Sequence, residues 1–184
     1  TTLTMDQLAL LGIFPDNNAP SLTLHTANGV REAQVVLLDS VWLGDLQIEG
    51  VAIATCDECA SSGSAGLLGL NVVGGFNVTI DADVREVLFS SRRHHDRKLD
   101  IKPFSELNAS FSRFPGGRVE VEVVLENSAN RAIDASEALV SCESGDWAVD
   151  LGSTSALGHT TVNRRLPRHP RCSSYLIGFH TASW

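Results

Sequence analysis

Apolar and polar positions alternate with a period of two through much of the chain, and clusters of glycine, asparagine, aspartate and proline interrupt the alternation. Leu22 to Thr26 and Val30 to Leu38 read as the two strands of a hairpin joined at Asn28-Gly29, a pair that supplies the positive φ angles of a tight turn. Asp39 to Ala54 reads as a further hairpin, turning at Gly44-Asp45 and continuing as an inward strand, with Asp39 at a strand end. Phe76 to Ile80 and Arg85 to Phe89 flank Asp81 to Val84 as another hairpin. One short helical turn is predicted over Met5 to Gly12, because Asp6 favours a first turn and glycine a left-handed cap. Pro15 to Pro20 is a loop.

The second half is strand-rich throughout. Arg118 to Glu126 places Val119, Val121 and Val123 on an inner face and Glu120 and Glu122 on an outer one. Further strands are predicted at Glu137 to Cys142, Asp146 to Leu151, His159 to Leu166 and Ser173 to Ala182, separated by Pro115-Gly116-Gly117, Ser144-Gly145 and Pro167 to Pro170. Short strands at that spacing predict an immunoglobulin-like β-sandwich over residues 106–184. Ser90 to Phe104, charged and carrying Pro103, reads as a linker over 90–105.

A chain of 184 residues suits two domains of roughly 90 each. Its longest apolar runs fall well short of the roughly 18 residues of a membrane-spanning helix. The net charge of −8 argues against a nucleic-acid partner, which needs a clustered positive field. Two basic patches, Arg92 to Lys98 and Arg164 to Arg171, read as solvated surface. His94 and His95, being adjacent, point to opposite faces of a strand and make a poor metal pair. No metal site and no cofactor is expected. Ser153, Ser155 and His159 are neighbours in sequence, which alone provides neither an oriented base nor an oxyanion site.

The four cysteines fall into two sets. Cys142 ends one strand-like run and Cys172 opens another, which suits them as cross-strand or cross-sheet partners. Cys56-Asp57-Glu58-Cys59 can close a tight disulfide, bind metal or do redox chemistry. A zinc site usually shows two such knuckles, and a thioredoxin-like use places the motif at the start of a helix beside a βαβ unit. Structural disulfides are therefore the expectation, and with them an oxidising compartment, periplasmic or secreted.

The stretch Gly66-Leu67-Leu68-Gly69-Leu70-Asn71, following an Asn-Gly hairpin and preceding a second hairpin, resembles the retropepsin-like aspartic peptidases over residues 1–89. The fold class this implies is all-β: a retropepsin-like half-barrel followed by the sandwich. The resemblance makes Thr26, Ala27, Asn28 and Gly29 the tip of a flap over bound peptide. It makes Leu67-Leu68-Gly69 a buried strand behind the catalytic loop, and Asn71 to Asp81 the short helix and closing strand after it. Asp-Thr/Ser-Gly, the family's catalytic triplet, does not occur in the sequence, and Asp39-Ser40 is followed by Val41. Thr1 to Leu10 resembles the segment that follows that triplet, so the catalytic aspartate is expected before Thr1, in a precursor, and no numbered residue is assigned a catalytic role.

What the resemblance implies is a homodimeric endopeptidase acting on extended peptide, with a cleaved N-terminal fragment as a possible associated piece. Two other readings compete: a peptide-binding module on the same fold without its acid, and a structural or adhesive β protein.

Overall fold

The computed structural model describes residues 1–26, 29–59, 63–92, 96–166, 172 and 174–184, with the side chain of Thr26 excepted. The fold is all-β and divides into two compact units, Thr1–His95 and Asp96–Trp184.

In the first unit, a two-residue strand β1 (Thr2–Leu3) leads into helix α1 (Met5–Leu10). Thr4 caps α1 by accepting the Gln7 N–H at 3.3 Å, and Gly12 follows with φ +74°, as the helix-stop pattern predicts. Strands β2 (Ser21–Thr26) and β3 (Gly29–Leu43) form the first hairpin, pairing Thr26 with Gly29. β3 then pairs with β4 (Leu46–Thr55) around the Gly44-Asp45 turn. β5 (Gly66–Leu67) and helix α2 (Leu70–Val73) follow, then a separate two-stranded hairpin of β6 (Phe76–Asp81) and β7 (Glu86–Ser91).

The main sheet has the order β2-β3-β4-β1-β5. β1 runs parallel to β4, pairing Thr2 with Ala54, and antiparallel to β5, pairing Thr2 with Leu67. The core gathers Leu8, Ile48, Val51, Ile53 and Val72. β4 is buried continuously from Gly50 to Ala54, because it lies inside the sheet and is covered by α1 and α2 residues.

One correction concerns Asp39. It sits inside β3, exposed, and not at a strand end, because the register from Val35↔Ala54 to Leu43↔Leu46 runs through it without a shift.

The second unit opens with helix α3 (Lys98–Ile101) and a 3-10 turn at Lys102–Phe104. Among the described residues six strands follow: β8 (Ser105–Phe114), β9 (Arg118–Asn127), β10 (Ile133–Cys142), β11 (Gly145–Thr154), β12 (His159–Arg165) and β13 (Tyr175–Ser183). They make two three-stranded sheets, β12-β9-β8 and β11-β10-β13. Val119, Val121, Val123 and Leu125 of β9 share one core with Ala138 and Val140 of β10 and Val149 and Leu151 of β11, which makes the unit a sandwich. The tyrosine hydroxyl of Tyr175 donates to the Ala109 carbonyl, tying the two sheets.

Parts of the stretch read as a linker are ordered. Ser90 and Ser91 belong to β7, while Ile101 and Phe104 are buried in the second unit. Pro103 stands in the opening of the 3-10 turn, where its missing N–H costs nothing. Arg97 and Asp100, with side chains 7% and 1% exposed, form an ion pair at 3.2 Å. Asp96 accepts the N–H groups of Lys98 and Ala182, and Arg97 donates its N–H to the Ala182 carbonyl, which pins the segment to β13. Burial pushes the Asp96 carboxyl up, but the hydrogen bonds from Lys98 and Ala182 outweigh it and hold the group below its usual value.

Candidate functional site

The first unit's sequence-predicted site residues fall in two places. Gly29 starts β3, and residues 29–32 of that strand are exposed, so the β2–β3 hairpin extends from the sheet as an arm. Its tip, Ala27 and Asn28, lies outside the described residues, as does the Thr26 side chain.

Leu67-Leu68-Gly69 forms β5 and the approach to α2. The expectation that this stretch is buried is wrong: Leu67 and Leu68 are 53% and 48% exposed. β5 is the last strand on its side of the sheet, so only one of its edges is paired. What the sequence pattern does record is the pair of glycines. A Cβ on Gly66 would overlap the Thr2 carbonyl, and one on Gly69 would overlap the Thr1 backbone nitrogen. The glycines are there to let β1 lie against this segment.

Around that contact lies a polar cluster that sequence reasoning missed. Asn71 Oδ1 accepts from the Thr1 nitrogen at 2.6 Å and from the Thr1 hydroxyl at 2.8 Å, and Asn71 Nδ2 donates to the Ala52 carbonyl at 2.9 Å. Thr1 Oγ1 in turn accepts the Gly69 N–H at 3.0 Å, and Thr2 Oγ1 the Leu67 N–H at 3.2 Å. Asn71 thus fastens the start of β1 to β4 and to the first turn of α2. The small residue Thr1 and the amide of Asn71, spaced 70 apart, carry no local motif that would have paired them.

The Cys56-to-Cys59 loop borders the same region. Cys56 and Cys59 form a disulfide, and Cys56 N–H donates to the Leu3 carbonyl at 2.9 Å. Within the loop, Asp57 Oδ1 accepts the Met5 N–H at 2.7 Å, and Glu58 pairs with Arg31 of the arm at 2.8 Å. Cys142 and Cys172 form the second disulfide, joining the end of β10 to the approach to β13.

Elsewhere the candidates disperse. His94 and His95 lie outside the described residues, as do Arg93 and the Pro167 to Arg171 part of the second basic patch. Ser155 serves the turn, its carbonyl accepting from the Asn127 amide at 2.9 Å. Among the described residues no group of three or more His, Cys, Asp or Glu could hold a metal ion, and no helix is long and apolar enough to cross a membrane.

No curated protein and no solved structure matches the chain. Residues 1–72, the stretch that runs from Thr1 through the Asn71 anchor, match the family model described as aspartyl protease, and the first unit accordingly contains an aspartyl protease-like domain.

Proposed function

We propose that residues 1–89 form half of a retropepsin-type aspartic endopeptidase that acts as a homodimer on extended peptide, with its catalytic aspartate in a loop preceding Thr1. The observation that supports this reading is the match of residues 1–72, which include the β2–β3 hairpin and the Gly66-to-Asn71 stretch, to the aspartyl protease family model. Two such aspartates, one per copy, share a proton because like charges about 3 Å apart resist ionising together. The ionised member takes a proton from water as the water attacks the peptide carbonyl, and the protonated member donates to the developing oxyanion. Thr26, Ala27, Asn28 and Gly29 close over the substrate backbone, and Leu67, Leu68 and Leu70, exposed along β5 and its exit, meet the second copy.

The second unit is proposed as the immunoglobulin-like domain, residues 106–184, a reading supported by its strand order β12-β9-β8 over β11-β10-β13. The two disulfides favour a periplasmic or secreted setting. The second reading, a peptide-binding module on the same fold, requires that the full precursor lack Asp-Thr/Ser-Gly.

The deciding experiment is peptidase activity of the full-length precursor at acidic and neutral pH, with each aspartate encoded before Thr1 replaced in turn by alanine. One replacement is expected to abolish cleavage; a precursor without the triplet, or one whose activity survives every replacement, ends the peptidase reading.

A further inference from the structure

We infer that the Cys56–Cys59 disulfide is a reducible latch, opened by a dithiol reductant, that holds the first turn of α1 and the β2–β3 arm. Three observations carry it. The ring encloses only Asp57 and Glu58, a sequence separation of 3 against 30 for Cys142–Cys172. So short a loop restricts the unfolded chain little, and stabilisation of the fold is a weak reason for the bond. Both enclosed residues reach other elements: Asp57 receives the Met5 N–H at 2.7 Å and Glu58 pairs with Arg31 at 2.8 Å. The two cysteines also differ, since Cys56 is buried and held by its N–H to Leu3, whereas Cys59 is partly exposed. Among the described residues the motif lies between β4 and β5 and opens no helix, which suits a latch better than an exchange catalyst.

The chemistry is ordinary thiol exchange. A reductant thiolate attacks Cys59 Sγ, a mixed disulfide forms, and Cys56 leaves as a thiolate. The reductant's second thiol then attacks its own sulfur in that mixed disulfide, and Cys59 leaves. The protein gains two electrons and two protons, and the dithiol becomes a cyclic disulfide. Cys56 stays in place through its backbone bond, while Asp57, Glu58 and Cys59 are released from the ring and loosen their hold on Met5 and Arg31. Any effect on peptide capture by the arm rests on the peptidase reading above; the latch itself does not.

The test equilibrates the oxidised chain in dithiothreitol buffers of graded potential, maps free thiols by alkylation and mass spectrometry, and follows hydrogen exchange in peptides covering residues 3–10 and 21–35. Cys56–Cys59 is expected to open before Cys142–Cys172 with far-ultraviolet circular dichroism unchanged, and exchange to quicken about fivefold in residues 3–10 and about two- to threefold in 21–35. The oxidised Asp57→Ala/Glu58→Ala variant is expected to show the same quickening with the disulfide intact. Opening of Cys142–Cys172 first, or exchange that stays unchanged after reduction or in the variant, overturns the latch. Absence of peptidase activity from the precursor in both redox states overturns the proposed function and leaves the exchange result to stand on its own.

Discussion

Asp100 is almost wholly enclosed and pairs with Arg97, 3.2 Å away. Asp100→Ala, which removes one member of this enclosed ion pair, is expected to cost about 3–5 kcal/mol in urea unfolding. Asp96 makes a pH-dependent contribution. Its carboxyl lies below the ordinary value in the folded state, so its stabilisation is complete above the unfolded value and fades as the pH falls through the lower, folded one. Asp96→Asn therefore loses about 1 kcal/mol near neutrality, discounted for partial exposure, and converges with the parent in acid, as urea titrations at several pH values will show. Gly69→Ala, which places a methyl against the Thr1 backbone, is expected to destabilise the first unit by about 1–3 kcal/mol in the same assay. Few of these residues could be picked out beforehand. An isolated Asp, Asn or Thr has no periodicity, and its partner is chosen by the fold: Asn71 finds Thr1 across 70 positions, and Asp57 finds Met5 across 52.

Strands with strong alternation were legible in advance. β9 buries Val119, Val121 and Val123 as its valine-glutamate pattern predicts, and β2 and β3 pair as a hairpin, with Gly29 already in the ladder opposite Thr26 and Asn28 outside the described residues. Elements with weak contrast were not. β8 lines its inner face with Leu107, Ala109 and Phe111 among serines and asparagine, too faint a signal to be called out, and it is pairing with β9 along its whole length that makes it a strand. α3 is short and charged, and it is the tertiary attachment of Asp96 and Arg97 to β13 that orders it. Leu67 and Leu68 were misplaced because an apolar pair records affinity for a neighbour without saying which molecule supplies it. The Cys142–Cys172 disulfide staples the end of β10 to the approach to β13. By its loop length, Cys142→Ala/Cys172→Ala is expected to cost about 3 kcal/mol, read as a fall in the melting temperature of the second unit.

Length alone suggested two domains of roughly 90 residues with a linker over 90–105; the chain clusters into Thr1–His95 and Asp96–Trp184. The first unit leaves Leu67, Leu68 and Leu70 in solvent, an apolar strip beside an edge strand. In the proposed homodimer the second copy covers that strip. Leu68→Asp with Leu70→Asp is then expected to turn the full-length protein from dimer to monomer in sedimentation velocity, with unchanged circular dichroism and loss of cleavage. A parent that sediments as a monomer at tens of micromolar, a concentration where stable interfaces of about 1,600 Å² persist, would count against it. The joint between β4 and β5 has a mechanical meaning as well. Among the described residues it is made by β1, over Thr2 and Leu3, with parallel bonds on one side and antiparallel bonds on the other. Tension applied at Thr1 is resisted there by a handful of bonds, while the long β3–β4 ladder bears none of the load. Under a pulling force the sheet should part at this seam first, freeing β5 in an early, low-force step while Asn71 and Val72 still hold α2 to β4 and the β2-β3-β4 meander stays whole.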